Sequence, residues 1–401
     1  MSAQEYQAPA SVNRLQNGGF VIGGIALVVS ALLLAKDPAT FFRIYLMSYM
    51  FVLGIALGSL GLLMLQHLTS GQWGVIIRRP LESATRTLPL LLVLFVPIWL
   101  FGMKYLYGAW LEPEHLAEEP LSKMQMSWLT QGGYRMRAIL YFAVWIGMAL
   151  LFNYLSRQQD VHREDREIRR KLKFFAGPGI ILYVFVVSFA AIDWVMSITP
   201  HWASTIYGFL FVAGQLISAM AIMVLIVVML SHDGPLTGIL NKRHLWQFGG
   251  LLFAFNMLWA YFSFSQLLII WSGNLPEEIS FYRSRLYGSW GAVAIVVLIC
   301  HFFVPFFLLL SKDLKRNQNL LPKVAIWMIF MRLVDLYWLT QPEFMRGALA
   351  FPNSIDIILP IALPIALLGI WLGFFAWNLK REPLLPLGDP HLAEAIASHE
   401  H

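Results

Sequence analysis

Two aspartates, Asp193 and Asp335, lie inside apolar segments of the sequence. Each precedes a proline by seven positions, Pro200 and Pro342. Arg332 stands three residues before Asp335, a spacing that lets the two side chains pair on one face of a helix. Ionisable groups inside a lipid bilayer are costly and are retained with a partner or a task. The aspartates are therefore either carriers of protons or contacts for a substrate, or they form structural ion pairs and polar anchors.

Three histidines are further candidates for proton transfer, because imidazole titrates near neutrality. His301 lies well inside an apolar segment, His67 ends another, and His201 follows Pro200. A lone histidine on an apolar helix is more often a hydrogen-bonded packing residue. The sequence marks no catalytic residue. Its candidates for a proton pathway are Asp193, Asp335, Arg332, His201, His301 and His67.

The cysteine and histidine content limits what the chain can bind. Cys300 is its only cysteine, so neither a disulfide within the chain nor a cysteine-ligated iron–sulfur cluster nor covalent c-type haem can form on it alone. A b-type haem needs two facing histidines, and only His301 of the ten lies deep in an apolar segment. We therefore predict that this chain by itself binds no metal and no redox cofactor.

The elements that position these residues are apolar helices. The 401 residues are 58% hydrophobic and 13% charged, against roughly 25% charged in soluble domains. Ten apolar runs are close to the length of roughly 20 residues that a helix needs to cross a bilayer. We expect all of them to be helices, because backbone groups inside a bilayer must form their hydrogen bonds within the chain. The predicted spans are 18–35, 41–66, 86–107, 136–156, 175–198, 204–231, 245–271, 287–311, 321–340 and 355–378.

The distribution of basic residues predicts the orientation. If the N-terminus is cytoplasmic, the loops on its side hold 19 of the 29 Lys and Arg residues and the opposite loops hold nine, with Arg332 inside a span. Basic loops stay in the cytoplasm, so both termini are predicted there. These loops also explain the net charge of +6, and no nucleic-acid partner is needed.

An internal repeat relates the two halves of the chain. Four signatures recur in order: 51–54 with 211–214, 108–114 with 272–278, 134–137 with 282–285, and the two aspartate–proline pairs. The repeating unit contains four helices, an even number, so both copies have the same orientation in the membrane. We predict one all-α integral membrane domain over 1–401. It contains two four-helix bundles, 41–200 and 201–342, with peripheral helices in 1–40 and 343–401.

Loops predicted on the periplasmic side combine aromatic and charged residues. This mixture is typical of a docking face, although aromatic belts and snorkelling arginines produce much of it unaided. The candidates for contact with partner proteins are Trp110, Glu277, Glu278, Arg135 and Arg283.

Several segments resemble a known family. DWVMSITPHWAST (193–205), YFSFSQ (261–266) with NLPEE (274–278), and RLVDL (332–336) are similar to the smaller NrfD-like membrane subunit, of the ActF type, of bacterial alternative complex III. The early segments QHLT (66–69) and RRPLE (78–82) agree as well, so the resemblance covers essentially the whole chain. No single motif is specific, but the combination is.

The resemblance implies a place in the bacterial inner membrane, within a complex that oxidises quinol, usually menaquinol. Electrons would pass through a periplasmic iron–sulfur subunit and c-type haem subunits to a cytochrome or another acceptor. A larger NrfD-like membrane subunit has the better-supported quinol site, and small membrane subunits and lipids complete the assembly. This chain would be a scaffold with a proton route through its bundles; the resemblance allows it a quinone or menaquinone but indicates no residues for one.

Two other functions fit the same pattern. The chain could anchor another NrfD-type oxidoreductase, such as a polysulfide or nitrite reductase, or act alone as a secondary transporter. Transporters usually have helices broken by glycine or proline at mid-membrane. Here most prolines lie near helix ends, and Pro305, Pro360 and Pro364 are the exceptions. Co-purification with haem and iron–sulfur subunits would separate a complex subunit from a transporter.

Overall fold

The computed structural model describes residues 6–112, 123–163, 165–234, 236–345, 349, 351 and 353–397. All regular secondary structure in this part of the chain is helical. Each predicted span contains one long helix. In chain order these are α1 (Ala10–Leu34), α2 (Pro38–Thr69), α3 (Leu88–Pro97, continued by Ile98–Gly102 and Met103–Leu106), α4 (Gln131–Val161), α5 (Arg166–Trp194), α6 (Tyr207–Asp233), α7 (Lys242–Gly273), α8 (Gly288–Leu310), α9 (Leu321–Phe344) and α10 (Ser354–Leu379).

Shorter helices join some of them. One precedes α3 and carries two arginines, and we call it the arginine helix (Gln72–Thr85). The others in the described residues are Gly108–Leu111, Lys123–Trp128, Pro276–Leu286, Lys312–Arg316 and Leu392–Ala397, with a short 3₁₀ turn at Met196–Ile198.

Nine helices in the described part of the chain are long and apolar enough to cross a membrane: α1 to α8 and α10, with α3 counted together with the arginine helix as Gln72–Leu106. The prediction of about ten spans is confirmed for these nine. The remaining predicted span, 321–340, also forms a helix, α9, of 24 residues. It is not among the nine helices counted as long and apolar enough to cross a membrane. It carries Lys323, Arg332 and Asp335.

Most of the helices extend beyond the predicted spans because their caps lie outside the apolar runs. The Asp37 side chain accepts a hydrogen bond from Thr40 N at 3.0 Å, and Pro38 occupies the first helical position, so α2 begins three residues before the predicted span. It ends at Ser70, whose φ of 53° is left-handed. Hydropathy locates a helix, whereas capping residues fix its ends.

The helices pack as two rings of four. In the first ring, α2 contacts α3, α3 contacts α4, α4 contacts α5, and α5 returns to α2. In the second ring, α6 to α9 contact one another in the same order. The rings meet where α2 packs against α6, and α5–α6 and α9–α2 contacts flank that seam. Outside the rings, α1 packs along α10, which rests on α2 and the arginine helix.

Helices α2 and α6 are buried on nearly every side, because each contacts its own ring and the opposite ring. Such a helix is apolar all round rather than amphipathic. The two helices approach closely at Gly58, where any Cβ would collide with the carbonyl oxygen of Gln215. A glycine at 58 is therefore required for this seam to close.

Gly58→Ala is expected to lower the thermal stability of the protein. The added methyl group would force the two rings apart, and overpacking of this kind costs about 1–3 kcal/mol, more than the roughly 1 kcal/mol that alanine gains over glycine in a helix. Gly147→Ala is the matched control, because Gly147 in α4 is exposed and a Cβ there meets open space. Thermal unfolding in detergent should separate the two variants. Equal midpoints would contradict a tight seam at Gly58.

Candidate functional site

The second ring contains a buried ion pair. Arg332 Nη1 donates a hydrogen bond to Asp335 Oδ2, the pairing that the three-residue spacing predicted. Both side chains are buried, and the guanidinium lies over Gly214 of α6, which leaves no room for a Cβ there. Asp335 Oδ1 accepts no hydrogen bond of ordinary geometry, although the Trp259 indole lies beside it. One carboxylate oxygen is thus held and the other is available.

His301 lies near this pair. Its ring centroid is 4.3 Å from that of Trp259, and neither of its nitrogens has a hydrogen-bond partner although the residue is 1% exposed. It belongs to a π-helical turn, Val297–Phe303. Pro305 has no N–H to donate to the carbonyl of His301 four residues earlier, so the regular helix cannot continue unchanged. Such turns frequently occur at functional sites.

Asn256 of α7 completes the cluster. Its Nδ2 donates to the Phe302 carbonyl at 3.2 Å, while its Oδ1 has no partner. We define Asn256, Trp259, His301, Arg332 and Asp335 as the second-ring polar site. Buried polar groups are nearly always hydrogen-bonded, and those without a protein partner generally bind internal water. The site therefore groups an amide, an imidazole and a carboxylate that have unpartnered polar atoms inside an otherwise apolar bundle.

Asp193 in the first ring has the opposite character. Its carboxylate accepts from Arg137 Nε at 2.7 Å and Nη2 at 2.9 Å, from Tyr141 Oη at 2.7 Å and from Trp128 Nε1 at 2.8 Å. These donors use the capacity of both oxygens, and Asp193 is fully buried. A two-pronged arginine–carboxylate pair fixes geometry. The arrangement favours the structural ion pair of the two interpretations that the sequence left open.

The equivalent arginine of the second half bonds differently. Arg285 follows Tyr282 by three residues, as Arg137 follows Tyr134, but it donates to the carbonyls of Leu339 and Phe281, both at 3.0 Å. Burial lowers the pKa of Arg285 to about 10, which still leaves it a cation at neutral pH. Asp335 is paired instead by Arg332 on its own helix. The two aspartates share a position in the predicted repeat but not a chemical environment.

A third polar constellation lies where the C-terminal residues 381–397 pack on the arginine helix and the end of α4, and we call this end of the first ring the tail face. Arg78 donates to Glu82 at 3.1 Å, to Asp389 at 2.9 Å, and to Ser156 and Gln159 of α4 at 2.8 and 2.7 Å. Arg78 and Glu82 are 1% and 0% exposed.

Arg79 and Arg86 extend this network. Arg79 pairs with Glu82 at 2.5 Å and with Glu382 at 3.3 Å, and it also contacts Asp160. Arg86 pairs with Glu382 at 2.5 Å. Burial without partners would make these cations very costly, so the buried arginines need acidic partners, and Glu82 supplies one from the arginine helix itself.

This network was only partly predictable. Arg78, Glu82 and Arg86 follow one another at four-residue spacing, which indicates ion pairs along one helix. Glu382 and Asp389 lie in a proline-rich tail without helical periodicity. Their pairing with the arginines therefore has no signal in the sequence.

The remaining candidates are separated in the structure. His67 lies at the tail face, 7% exposed, stacked on Phe152 at 5.7 Å, with Nε2 unpartnered. His201 is on the surface. Among the docking candidates, Trp110 is buried and donates to the Ser197 carbonyl at 3.1 Å, so its ring is not available to a partner. The others lie at least partly on the surface: Arg135, Glu277, Glu278 and Arg283.

Within the described residues, no group of three or more His, Cys, Asp and Glu side chains is arranged to hold a metal ion. The first ring thus contains a fully bonded buried ion pair, and the second ring contains a buried ion pair beside unpartnered polar atoms. The chain matches no known protein-family model and no curated protein.

Proposed function

We propose that this chain is an integral membrane subunit of a quinol-oxidising alternative complex III, in which it is a scaffold with a proton route through its second ring. The observation that carries the proton route is the buried second-ring polar site, where Asp335 and His301 keep unpartnered polar atoms among apolar helices. Membership of the complex is proposed from the resemblance of the segments 193–205, 261–278 and 332–336. Its partners would be the larger NrfD-like membrane subunit, the periplasmic iron–sulfur subunit, the c-type haem subunits and small membrane subunits.

The proton role belongs to Asp335 and His301. Arg332 holds Asp335 Oδ2 and orients the carboxylate, which also lies beside Trp259. A neutral imidazole has one N–H donor and one acceptor nitrogen, so His301 can give up one proton as it accepts another. Asp193 has no free acceptor of this kind, so we assign it to holding Arg137 and the ends of α4 and α5 together.

In this assignment electrons travel through partner subunits, while this chain carries protons through the inner membrane. The excess of basic residues in the loops on that side favours a cytoplasmic position for both termini and for the tail face. Nine long apolar helices are compatible with this multi-pass arrangement. We extend the count to ten by including α9, which closes the second ring.

Purification from the native membrane tests the proposal. The chain, carrying a small affinity tag, is expected to co-purify with subunits that give a c-type haem absorbance and an iron–sulfur EPR signal. The same chain expressed and purified alone is expected to lack both signals. A monodisperse chain that leaves the native membrane without redox subunits would contradict the proposal and favour a transporter. A haem or cluster in stoichiometric amount on the isolated chain would contradict the prediction that it binds none.

A further inference from the structure

A small cavity lies at the tail face beneath the C-terminal segment. Its volume is about 20 Å³, which is room for one water molecule. Polar side chains dominate its walls, and six of them are Gln66, His67, Arg78, Gln159, Asp389 and His391. A polar cavity of this size binds water, whereas an apolar one stays dry.

Two of these lining side chains have polar atoms without a hydrogen-bond partner. Gln66 Oε1 and His67 Nε2 have no hydrogen-bond partner, and the residues are 3% and 7% exposed. They come from α2, while Arg78 faces them from the arginine helix. A buried acceptor without a partner costs about 1–3 kcal/mol, and a bound water removes that cost. A water molecule with two to four polar neighbours fits this site.

The C-terminal segment forms one side of the cavity. Asp389, which lines the cavity, pairs with Arg78 at 2.9 Å, and the neighbouring Gly388 N donates to Asp160 Oδ1 at 3.0 Å. Further back, Leu384 N donates to the Tyr6 carbonyl at 2.8 Å. Apolar side chains anchor the segment beside these bonds, and those buried are Leu384, Leu385, Leu392 and Ala395.

We propose that this cavity is a binding site for a single water molecule held by Gln66, His67 and Arg78, and that residues 381–397 form a lid that separates it from bulk solvent. The lid is attached by ion pairs and one strip of apolar contacts rather than by a membrane-spanning helix, so it can open without unfolding either ring. Opening would connect His67 to the solvent of the tail face.

This inference goes beyond the proposed function, because His67 lies in α2 of the first ring, outside the proton route that we propose through the second ring. Its test measures the accessibility of one position and not turnover. Failure of the lid therefore leaves the proposed function standing, and loss of the redox partners leaves the lid standing.

The lid is tested by cysteine labelling of the intact complex in detergent. In a Cys300→Ser background, His67→Cys is exposed to a charged methanethiosulfonate reagent with the lid intact, with Asp389→Asn, and with the chain ended after Lys380. We expect slow labelling with the intact lid, and labelling about tenfold faster or more in both altered forms.

Two reference positions control this experiment. His162→Cys is exposed at the end of α4 and should react at one rate in all forms, whereas Ser59→Cys is fully buried in α2 and should stay unreacted. If position 67 reacts equally fast with the lid present, or equally slowly without it, the lid is refuted. Asp389→Asn keeps the whole chain, so it decides the matter if the shortened chain does not fold.

The water site is tested separately in a map of the complex that resolves ordered solvent. We expect one peak within hydrogen-bonding distance of Gln66 Oε1 and His67 Nε2, and loss of that peak in the Gln66→Leu variant. A cavity without density in such a map would refute the water site.

Discussion

Glu82→Gln is expected to abolish most of the folded protein. Glu82 is fully buried and pairs with Arg78 at 3.1 Å and with Arg79 at 2.5 Å. Glutamine has nearly the same shape but no charge, so buried cations would lose their central counter-charge. Breaking a buried pair in this way costs about 3–5 kcal/mol, a large part of the roughly 5–15 kcal/mol that stabilises a typical protein. The yield of monodisperse protein and its thermal midpoint in detergent measure the effect.

Glu167→Gln is the matched control for this substitution. Glu167 pairs with Lys171 at 3.5 Å on the surface of α5, and both side chains are more than half exposed. Exposed pairs contribute about 0–1 kcal/mol, so this variant should behave like the wild type. A Glu82→Gln protein with a wild-type midpoint would show that Asp160, Glu382 and Asp389 neutralise the arginines without Glu82.

Asp335→Asn is expected to reduce proton translocation by about tenfold or more in the complex that assembles, because asparagine keeps the size of the side chain but cannot carry the proton. It also leaves Arg332 buried without its counter-charge, so we expect a loss of stability of about 3–5 kcal/mol. Asp193→Asn is expected to lower stability without changing proton translocation. It would weaken the four hydrogen bonds from Arg137, Trp128 and Tyr141 and cost stability of about 2–4 kcal/mol. Proton uptake by proteoliposomes that contain the complex, driven by quinol oxidation, measures the first effect, and thermal unfolding measures the second.

Asp313→Asn is the control for proton translocation, because Asp313 is exposed in a short surface helix. It should change neither measurement. If the complex with both Asp193→Asn and Asp335→Asn keeps wild-type quinol oxidation and wild-type proton translocation, the proton route should be abandoned, and both aspartates are then structural.

Local sequence spacing predicted the features that depend on one helix. The ten apolar runs each became a helix, and the pairing of Arg332 with Asp335 followed from three residues of separation. Both depend on the period of the α-helix, which the sequence shows directly. The same reasoning suggested that Asp193 and Asp335 have similar roles, since they recur at equivalent positions.

Pairings between distant helices were not predictable in this way. Asp193 meets Arg137 across 56 residues, and Arg79 meets Glu382 across 303. Such contacts depend on how helices are rotated and tilted against one another, and a single sequence contains no period that reports rotation. The different partners of Asp193 and Asp335 were therefore visible only in the structure.

The pairing of α1 with α10 joins the two ends of the chain. Gly23 and Gly369 bring the two backbones into direct contact, and the helices pack along much of their length. Because α1 precedes α10 in the chain by more than three hundred residues, it is synthesised long before its main partner. During synthesis, α1 must remain in the membrane with its glycine face uncovered. Nascent chains that stop before Ser354 should consequently be substrates for membrane quality-control proteases, even though both four-helix rings are complete.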